Sequence, residues 1–572
     1  MKTGFASWIG SMVFASAMLA PLTSSAAEPL AIDQGKEWTA SAQKDFYSRD
    51  QGSRIMPLRW IAALKQANGE PFMAASLGRY GYLPNEKSRP VGLPVGFTVG
   101  NGTGGQEIGM NCSACHTRQI EVNGVSYRID GGPGIVDFQS FLADLDIAVN
   151  TVLTDQQAFT DFARAVLGPS PTPDEKTKLR AAVQAWHLPY HTLMKGALPT
   201  PQWGPARLDA VSMIFNRLTG LDIGPPPTYM IPENIKPATA PVRYPFLWNA
   251  AIQDKTQWPG FASNGNNILG LARNLGEVYG VFGVFHPKKD SWRLLGFDYL
   301  ANNSANFQEL GALEDLIRKI GPPKWAWKVD QALASKGKAI FARKTEQGGC
   351  ADCHGITPGQ TRFLDQKTWA TPILDVGTDS REYEILGWTA KSGVLEGAKI
   401  PFLTQPLKPV DTAFNILGTS VIGSILQHYV PVLMKAEGQA EAKGPQSPFS
   451  PETESLKDAF NAPVKGATPS YAYESRVLEG IWAAAPYLHN GSVPTLAELL
   501  KPAAERVSSF KVGPAYDLVN IGLAVDQTKF DYTLQTTDCS DRNSGNSRCG
   551  HEFGTTLSSD EKKALLEYLK TL

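Results

Sequence analysis

The chain has 572 residues, and its 54 basic and 55 acidic side chains leave a formal net charge of −1. This near-neutral balance disfavours a nucleic-acid-binding surface, and 42% hydrophobic with 10% aromatic residues disfavours intrinsic disorder. The 53 glycines and 41 prolines predict long ordered loops. At roughly 150 residues per domain, the length allows two to four domains.

Residues 1–27 have the features of an export signal. Lys2 is the only charged residue before Glu28, an apolar stretch reaches about Leu22, and small residues precede the predicted cleavage site near Ala27. The apolar core is short and rich in small residues, so an uncleaved anchor is the less favoured alternative. We therefore expect a periplasmic or secreted chain without a stable membrane anchor, in a compartment where disulfides persist.

The pattern Cys-x-x-Cys-His occurs twice, once in each half of the chain. It comprises Cys112, Cys115, His116, Cys350, Cys353 and His354. This is the attachment pattern of c-type haem, in which two thiols bind the haem vinyl groups and the next imidazole ligates the iron. A redox Cys-x-x-Cys pair and a zinc site are weaker alternatives, since zinc needs four ligands close together. The sequence therefore predicts two covalently bound haem c groups.

The remaining cysteines, Cys539 and Cys549, lie in a polar segment near the end of the chain. In an oxidising compartment they predict a disulfide, which by chain entropy would contribute roughly 2 to 3 kcal/mol. Two free thiols are the alternative.

Three segments have apolar residues at helical spacing. The segment 329–342 precedes the second motif and is similar to the first helix of a class I cytochrome c, and 558–572 is similar to the last helix of that fold. Ser558 and Glu561 fit a capping box. A third buried helix face is predicted between residues 268 and 282.

These patterns predict a mostly α, loop-rich fold with little β structure. It would consist of two class I cytochrome c-like haem domains with large insertions. Residues 28–324 would hold the first, active haem, and residues 325–572 the second, electron-transfer haem.

A second axial ligand decides whether an iron transfers electrons or also reacts. For the second haem, His551 has the place expected of a distal ligand, shortly before the closing helix, and His489, Met434 or no protein ligand are the alternatives. For the first haem, His187 and His191 are available, but each is more typical of packing or surface histidines. An open first iron beside a saturated second iron would be the arrangement of an enzyme.

These features resemble the bacterial di-haem cytochrome c peroxidase superfamily, through the haem motifs, residues 486–492 (Pro-Tyr-Leu-His-Asn-Gly-Ser) and the closing helix from residue 557. Within it, the size and the segments 129–134, 204–210 and 244–249 look closest to the branch of rubber oxygenases and periplasmic fatty-acid dioxygenases and diol synthases. The resemblance implies His116 and His354 as proximal ligands and His551 as the distal ligand of the second haem. It also implies dioxygen binding at the first haem.

The resemblance thus implies a haem-dependent dioxygenase. Its partners would be dioxygen and an apolar unsaturated substrate, either a fatty acid such as oleate or polyisoprene, with a small periplasmic electron donor as an optional partner and no nucleic acid. The pocket candidates are Phe246, Trp248, Trp258 and Phe261, each of which could equally be a core residue.

Three other functions stay open from the sequence. A diol synthase would isomerise a hydroperoxide without net dioxygen uptake. A peroxidase would need a distal acid, for which Glu277 is the candidate, with a solvated helix carboxylate as the alternative. A di-haem electron carrier would have two irons with strong protein ligands on both sides.

Overall fold

The computed structural model describes residues 28–102, 104–362, 366–400, 404–429 and 470–572. The predicted export signal and Met434 lie outside these ranges. Within them, no helix is both long enough and apolar enough to cross a membrane.

Fourteen α-helices are found in the described ranges, most of them short. They are α1 Ala40–Ser48, α2 Leu58–Ala63, α3 Phe138–Thr154, α4 Gln156–Leu167, α5 Pro173–Ala197, α6 Ala210–Arg217, α7 Asn267–Gly280, α8 Phe307–Ile317, α9 Gln331–Phe341, α10 Ala351–His354, α11 Arg381–Ile385, α12 Ala413–Tyr429, α13 Leu496–Leu499 and α14 Ser559–Leu569. Helix α7 confirms the helix predicted between residues 268 and 282, with Leu271, Leu275 and Val278 buried.

The described strands are short and pair in many small sheets. They are β1 Leu30–Ala31, β2 Met56–Pro57, β3 Phe97–Gly102, β4 Gly105–Met110, β5 Thr117–Val122, β6 Val125–Asp130, β7 Arg207–Leu208, β8 Val242–Arg243, β9 Lys255–Thr256, β10 Ala262–Ser263, β11 Lys288–Lys289, β12 Phe297–Asp298, β13 Thr357–Arg362, β14 Gln366–Ala370, β15 Ile373–Leu374, β16 Thr389–Lys391, β17 Val410–Thr412, β18 Tyr473–Glu474, β19 Ser509–Lys511, β20 Tyr516–Asp517, β21 Gly522–Leu523 and β22 Thr533–Gln535. Two sheets have three strands, in the orders β1-β6-β5 and β2-β4-β3.

The prediction of a mostly α fold with two class I cytochrome c-like domains is wrong. Helices make up 38% and strands 17% of the structure, which is therefore mixed α/β. The strands escaped the sequence analysis because most are two or three residues long, too short to show a period-two pattern. Their pairing is set by contacts between distant segments, such as β7 with β8 and β15 with β18.

The first haem motif lies between two β-hairpins. Strands β3 and β4 pair antiparallel before Cys112, and β5 and β6 pair antiparallel after His116. Asn123 and Gly124 turn the second hairpin, both with positive φ, as a tight two-residue turn requires. The element directly before the first motif is thus a strand, and the helices that precede it, α1 and α2, lie further back in the chain.

The second motif has the helical surroundings that the sequence predicted. Helix α9 precedes Cys350, and α14 begins with the expected capping box between Ser558 and Glu561. The two helices cross closely at Gly337, where a Cβ atom would collide with the carbonyl oxygen of Ala564. Glycine at this position therefore permits the packing.

One of the two large hydrophobic clusters draws on residues from both sides of position 324. Trp248 and Leu316 from one side pack in the same cluster as Phe341, Trp482 and Leu565 from the other. A second cluster lies around α3, α4 and α5 and includes Ala114 of the first motif. The domain boundary at residues 324 and 325 stays a prediction.

Candidate haem sites

The first motif forms one turn of 3₁₀-helix over Cys112–Ala114. Asn111 caps this turn, because its Oδ1 accepts a hydrogen bond from the amide of Ser113. His116 follows, and its Nδ1 donates to the carbonyl oxygen of Pro245 at 2.8 Å. Burial lowers the pKa of His116 to about 4, so the ring is neutral. The Pro245 bond assigns the ring proton to Nδ1 and leaves Nε2 as a free electron-pair donor for iron.

The second motif repeats this arrangement. Cys353 and His354 lie on the short helix α10, and Nδ1 of His354 donates to the carbonyl oxygen of Arg476 at 2.7 Å. Burial lowers the pKa of His354. Both motif histidines are therefore oriented for metal ligation through Nε2.

The segments that accept these two hydrogen bonds have the same local backbone. Four residues after Pro245, Asn249 takes a left-handed conformation and precedes a 3₁₀ turn at Ala250–Ile252. Four residues after Arg476, Gly480 does the same before Ile481–Ala484. The sequence does not reveal this structural repeat, because the two segments share one side chain near the acceptor, Leu247 in the first and Leu478 in the second.

His551 faces the second motif. Its ring centroid lies 6.1 Å from that of His354, with 46° between the ring planes. A metal ion bound by two opposite imidazoles has bonds of about 2 Å to each ring nitrogen, and each ring centroid lies about 1 Å behind that nitrogen. The two centroids are then about 6 Å apart, so one metal ion fits between His354 and His551. Nδ1 of His551 is buried and has no hydrogen-bond partner in the described part of the chain. The residues present therefore fit an iron held by two imidazoles.

The backbone of the His551 loop is tied down independently of the imidazole. The guanidinium of Arg506 donates to the carbonyl oxygens of Arg548, Gly550 and His551. The predicted disulfide between Cys539 and Cys549 is confirmed, and it anchors the loop two residues before His551.

A cavity of about 1260 Å³ surrounds the second motif, with Cys350, Cys353, His354 and His551 in its wall. His489 lines the same cavity, but its ring stacks on Tyr473 at 3.8 Å between centroids. Of the two candidate imidazoles, it is His551 whose ring contacts His354.

Two buried arginines give this cavity positive charge. Arg243 and Arg476 line it, and burial lowers the pKa of Arg243 to about 9. Such guanidinium groups are suited to the carboxylates of haem propionates. Neither arginine was predicted, since they come from distant segments and no sequence spacing marks them.

The predicted pocket aromatics do not lie together. Phe246 and Trp258 line the cavity at the second motif, whereas Phe261 lines a separate cavity. Trp248 is fully buried, stacks on Phe246 at 4.6 Å and donates through Nε1 to the carbonyl oxygen of Glu479.

The separate cavity has a volume of about 720 Å³ and mostly apolar walls. Its lining includes Ile214, Phe215, Phe261, Leu269, Phe414 and Leu417, with Glu277, Arg273 and Gln257 as its main polar groups. Gln257 donates to Oε1 of Glu277 at 2.8 Å, and burial raises the pKa of Glu277. Its carboxyl group therefore faces a largely apolar space.

Electrostatics connects this cavity with the first motif. Burial, and then the charge of Glu277, raises the pKa of the Cys112 thiol to about 12. Arg273, also in the cavity wall, contributes to the lowered pKa of His116 after burial and Arg476. No residue of the first motif lines the 720 Å³ cavity, and these charges are its link with the first haem site.

His187 and His191 do not approach the first motif in the role considered for them. One ring nitrogen of each histidine hydrogen-bonds to Asp146 on α3 instead. In the described ranges, the one ring contact of His116 is with Tyr244 at 6.1 Å, and no second histidine ring contacts it.

Hydrogen bonds join the segments that carried the resemblance in two pairs. Leu247 of 244–249 donates its amide to the carbonyl oxygen of Gly131 in 129–134. The guanidinium of Arg207, in 204–210, donates to the carbonyl oxygen of Asn490, in 486–492. Segment 244–249 is therefore held against 129–134, and segment 204–210 against 486–492.

Part of the chain around the second haem site matches a known protein family. Residues 472–511 match a family described as RoxA-like, cytochrome c-like. This match covers 40 residues of the chain and shows a local similarity to that family. The matched residues include Arg476, whose carbonyl orients His354, and the cavity residues Tyr487 and His489. A cytochrome c-like domain implies haem c and supports a haem-containing oxidoreductase.

Two proteins of Sinorhizobium fredii are similar to the chain. The protein y4iJ is 29% identical over 601 aligned residues, which cover 94% of this chain and 92% of that protein. The protein y4iM is 24% identical over 344 residues, covering 57% of this chain and 63% of that protein. The names of both state no activity.

Proposed function

We propose that the protein is a di-haem c oxidoreductase. Cys112 and Cys115 would hold the first haem with His116 as its proximal ligand, and Cys350 and Cys353 the second with His354. The paired orientation of the two motif histidines by backbone carbonyls supports this assignment.

His551 is the second axial ligand in this proposal. The facing rings of His354 and His551 and the orphaned Nδ1 of His551 support it. Bound by two imidazoles, the second haem would transfer electrons without binding a substrate.

The first haem is the proposed reaction site. Its iron would supply a binding position for dioxygen and single-electron chemistry. The observation that carries the proposal is the lack of a second imidazole at His116 in the described ranges, combined with an apolar 720 Å³ cavity whose Glu277 and Arg273 act electrostatically on Cys112 and His116. The apolar walls from α6, α7 and α12 would bind an unsaturated hydrocarbon chain and exclude water.

We therefore propose a dioxygenase that acts on an unsaturated lipid chain. Phe215, Leu417 and Val421 would contact the chain, and the small residues Gly276 and Gly418 leave room for it. Burial raises the pKa of Glu277, which reduces the tendency of its carboxyl group to place a negative charge beside the hydrocarbon.

Electrons would pass between the haems through residues 245 and 246. The carbonyl of Pro245 accepts the hydrogen bond of His116, and the next residue, Phe246, lies in the wall of the second cavity. This short covalent connection supports a relay from the second haem to the first.

A peroxidase is the second candidate, because Glu277 is an acid in the right cavity. With its pKa raised by burial, the carboxyl group can hold a proton and deliver it to the leaving oxygen of a bound peroxide. Arg273 lies beside it and could stabilise negative charge on that oxygen.

The haem attachment pattern and the disulfide support the proposal that the mature chain works in the periplasm or outside the cell. Fractionation of cells that express the full chain should recover the haem protein from the periplasm or the medium. Recovery in the cytoplasm alone would contradict this part of the proposal.

Oxygen-isotope labelling separates the candidates. The reduced protein is supplied with ¹⁸O₂ and oleate, or with polyisoprene, and the products are analysed by mass spectrometry. A dioxygenase incorporates ¹⁸O into a hydroperoxide or carbonyl product. Absence of label with both substrates would contradict the proposal.

Glu277→Gln distinguishes the peroxidase. If the protein reduces hydrogen peroxide with a reduced cytochrome donor, this variant should lose about 100-fold or more in rate, the usual contribution of a general acid. Glu396→Gln, at an exposed carboxylate, is the control and should keep full activity.

A further inference from the structure

Asp146, His187 and His191 form a cluster that includes no residue of either haem motif. Nε2 of His187 lies 2.9 Å from Oδ1 of Asp146, and Nδ1 of His191 lies 2.9 Å from Oδ2. All three ligand atoms lie within 4.8 Å of one another, and this is the one such group of three found in the described ranges.

The fold holds these three side chains in place. His187 and His191 are four residues apart on α5 and so project from the same helix face. Tyr190, between them, donates its hydroxyl to the carbonyl oxygen of Leu142 at 3.0 Å, which sets the position of α5 against α3. The cluster therefore needs little rearrangement to bring its ligand atoms to one point.

Exposure and charge suit the binding of a cation. The side chains of His187 and Asp146 are 10% and 14% exposed, whereas that of His191 is 48% exposed. Burial acts to raise the pKa of Asp146, but the hydrogen bonds of the two imidazoles hold it below its ordinary value. An ionised carboxylate thus lies behind two imidazoles, with one side open to solvent.

We propose that Asp146, His187 and His191 form a zinc site. Two imidazoles and one carboxylate are a donor set that zinc accepts, with water in the fourth position of a tetrahedron. Nitrogen donors favour zinc over calcium or magnesium, which prefer sets made of oxygen ligands. The ion would link α3 to α5 and stabilise the helices next to the first haem site.

The alternative is a hydrogen-bonded packing cluster that binds no metal. In that case the two imidazoles donate to Asp146 and fulfil their role without zinc. The two possibilities differ in zinc stoichiometry and affinity, and they make opposite predictions for the same variants.

The test is zinc titration of the chelator-treated, haem-loaded full chain by calorimetry. We expect one zinc ion per chain at this site, not displaced by excess calcium or magnesium. Loss of a partner outside the ligand set already lowers metal affinity by about 10–100-fold, so Asp146→Asn and His191→Ala should each weaken binding at least that much.

His428→Ala is the matched control, since His428 lies at the end of helix α12 with Phe307 and Tyr429 as its ring neighbours. It should bind zinc like the wild type. An unchanged haem spectrum shows that each variant is folded, and His191→Ala is the gentler change because His191 is the most exposed ligand.

X-ray absorption at the zinc edge should show scattering from two imidazoles in the wild type. Absence of a zinc site in the wild type would overturn the proposal. So would equal zinc affinity in the wild type and both ligand variants.

Discussion

Replacing His551 with glycine should open the second haem while leaving the fold intact. His551 has a φ of 53°, a left-handed conformation that glycine adopts without the roughly 1–2 kcal/mol penalty of other residues. The loop backbone keeps its three hydrogen bonds from Arg506 and the disulfide at Cys549. The substitution therefore removes the imidazole with little direct effect on the backbone.

The wild-type imidazole favours the form that can bind a metal ion. Burial first, and then the charges of His354 and Arg506, lowers the pKa of His551 to about 3, which favours the neutral ring with a free electron pair. In His551→Gly that ligand is gone at every pH.

The assay is the electron paramagnetic resonance spectrum of the oxidised protein. The wild type should show a low-spin, two-imidazole signal from one of its two haems, and His551→Gly should lose this signal entirely. Its second haem should become high-spin, with a reduction potential higher by roughly 0.1 V or more, within the ~0.8 V range set by axial ligands. Added imidazole should restore the low-spin signal.

His489→Gln is the control for this experiment. His489 lines the same cavity but stacks on Tyr473, so its replacement should leave the low-spin signal in place. A low-spin signal that survives in His551→Gly, or that is lost in His489→Gln, would contradict ligation of the second iron by His551.

Three further predictions follow from the packing and the buried charges. Leu417→Trp fills part of the 720 Å³ cavity and should lower kcat/KM for oleate, measured by oxygen uptake, by at least about tenfold. The spectrum of the second haem should not change. An unchanged kcat/KM would show that substrate does not bind in this cavity. Gly337→Ala places a methyl group against the backbone of Ala564, where α9 and α14 cross, and should lower the free energy of unfolding by about 1–3 kcal/mol. The loss is measured as a lower Tm. An unchanged Tm would contradict the close crossing of the two helices. Burial lowers the pKa of His489 to about 3, so its contribution to the free energy of unfolding is present above pH 6.5 and is lost as the pH falls towards 3. Burial raises the pKa of Asp379 to about 6, so its contribution is present below pH 3.8 and is lost as the pH rises to 6. Because the two effects oppose each other between about pH 4 and 6, these two groups together predict a Tm that falls below about pH 4 and stays nearly level above it, and a Tm that rises as the pH falls below 4 would contradict these assignments.

The chemistry-bearing residues could be predicted because each lies in a short local pattern. The two Cys-x-x-Cys-His motifs, the capping box at Ser558 and the cysteine pair 539 and 549 depend on neighbours within a few residues. For that reason the capping box and the disulfide are confirmed directly by the structure. The role of His551 as an iron ligand stays a prediction, supported by its position opposite His354.

The β structure could not be predicted in the same way. Most strands are too short for periodicity, and pairs such as Arg207 with Arg243 join segments that are distant in the chain. One local signal was available and was not used: Asn123-Gly124 between two alternating segments is typical of a β-hairpin, which the structure shows as β5 and β6.

The surroundings of the sites also depended on tertiary contacts. No spacing in the sequence indicates that the carbonyls of Pro245 and Arg476 orient the two motif histidines, or that Arg243 and Arg476 line one cavity. Likewise, Phe246 and Phe261 are close in sequence and both are predicted pocket residues, but they line different cavities.

Carbon monoxide binding to the reduced wild-type protein tests the central claim most directly, that one haem is open and the other closed. The apolar cavity and unopposed His116 at the first site, with the facing pair His354 and His551 at the second, predict one carbon monoxide bound per chain that holds two haems. No binding would indicate an electron carrier with two saturated irons. Two molecules bound per chain would contradict ligation of the second iron by His551.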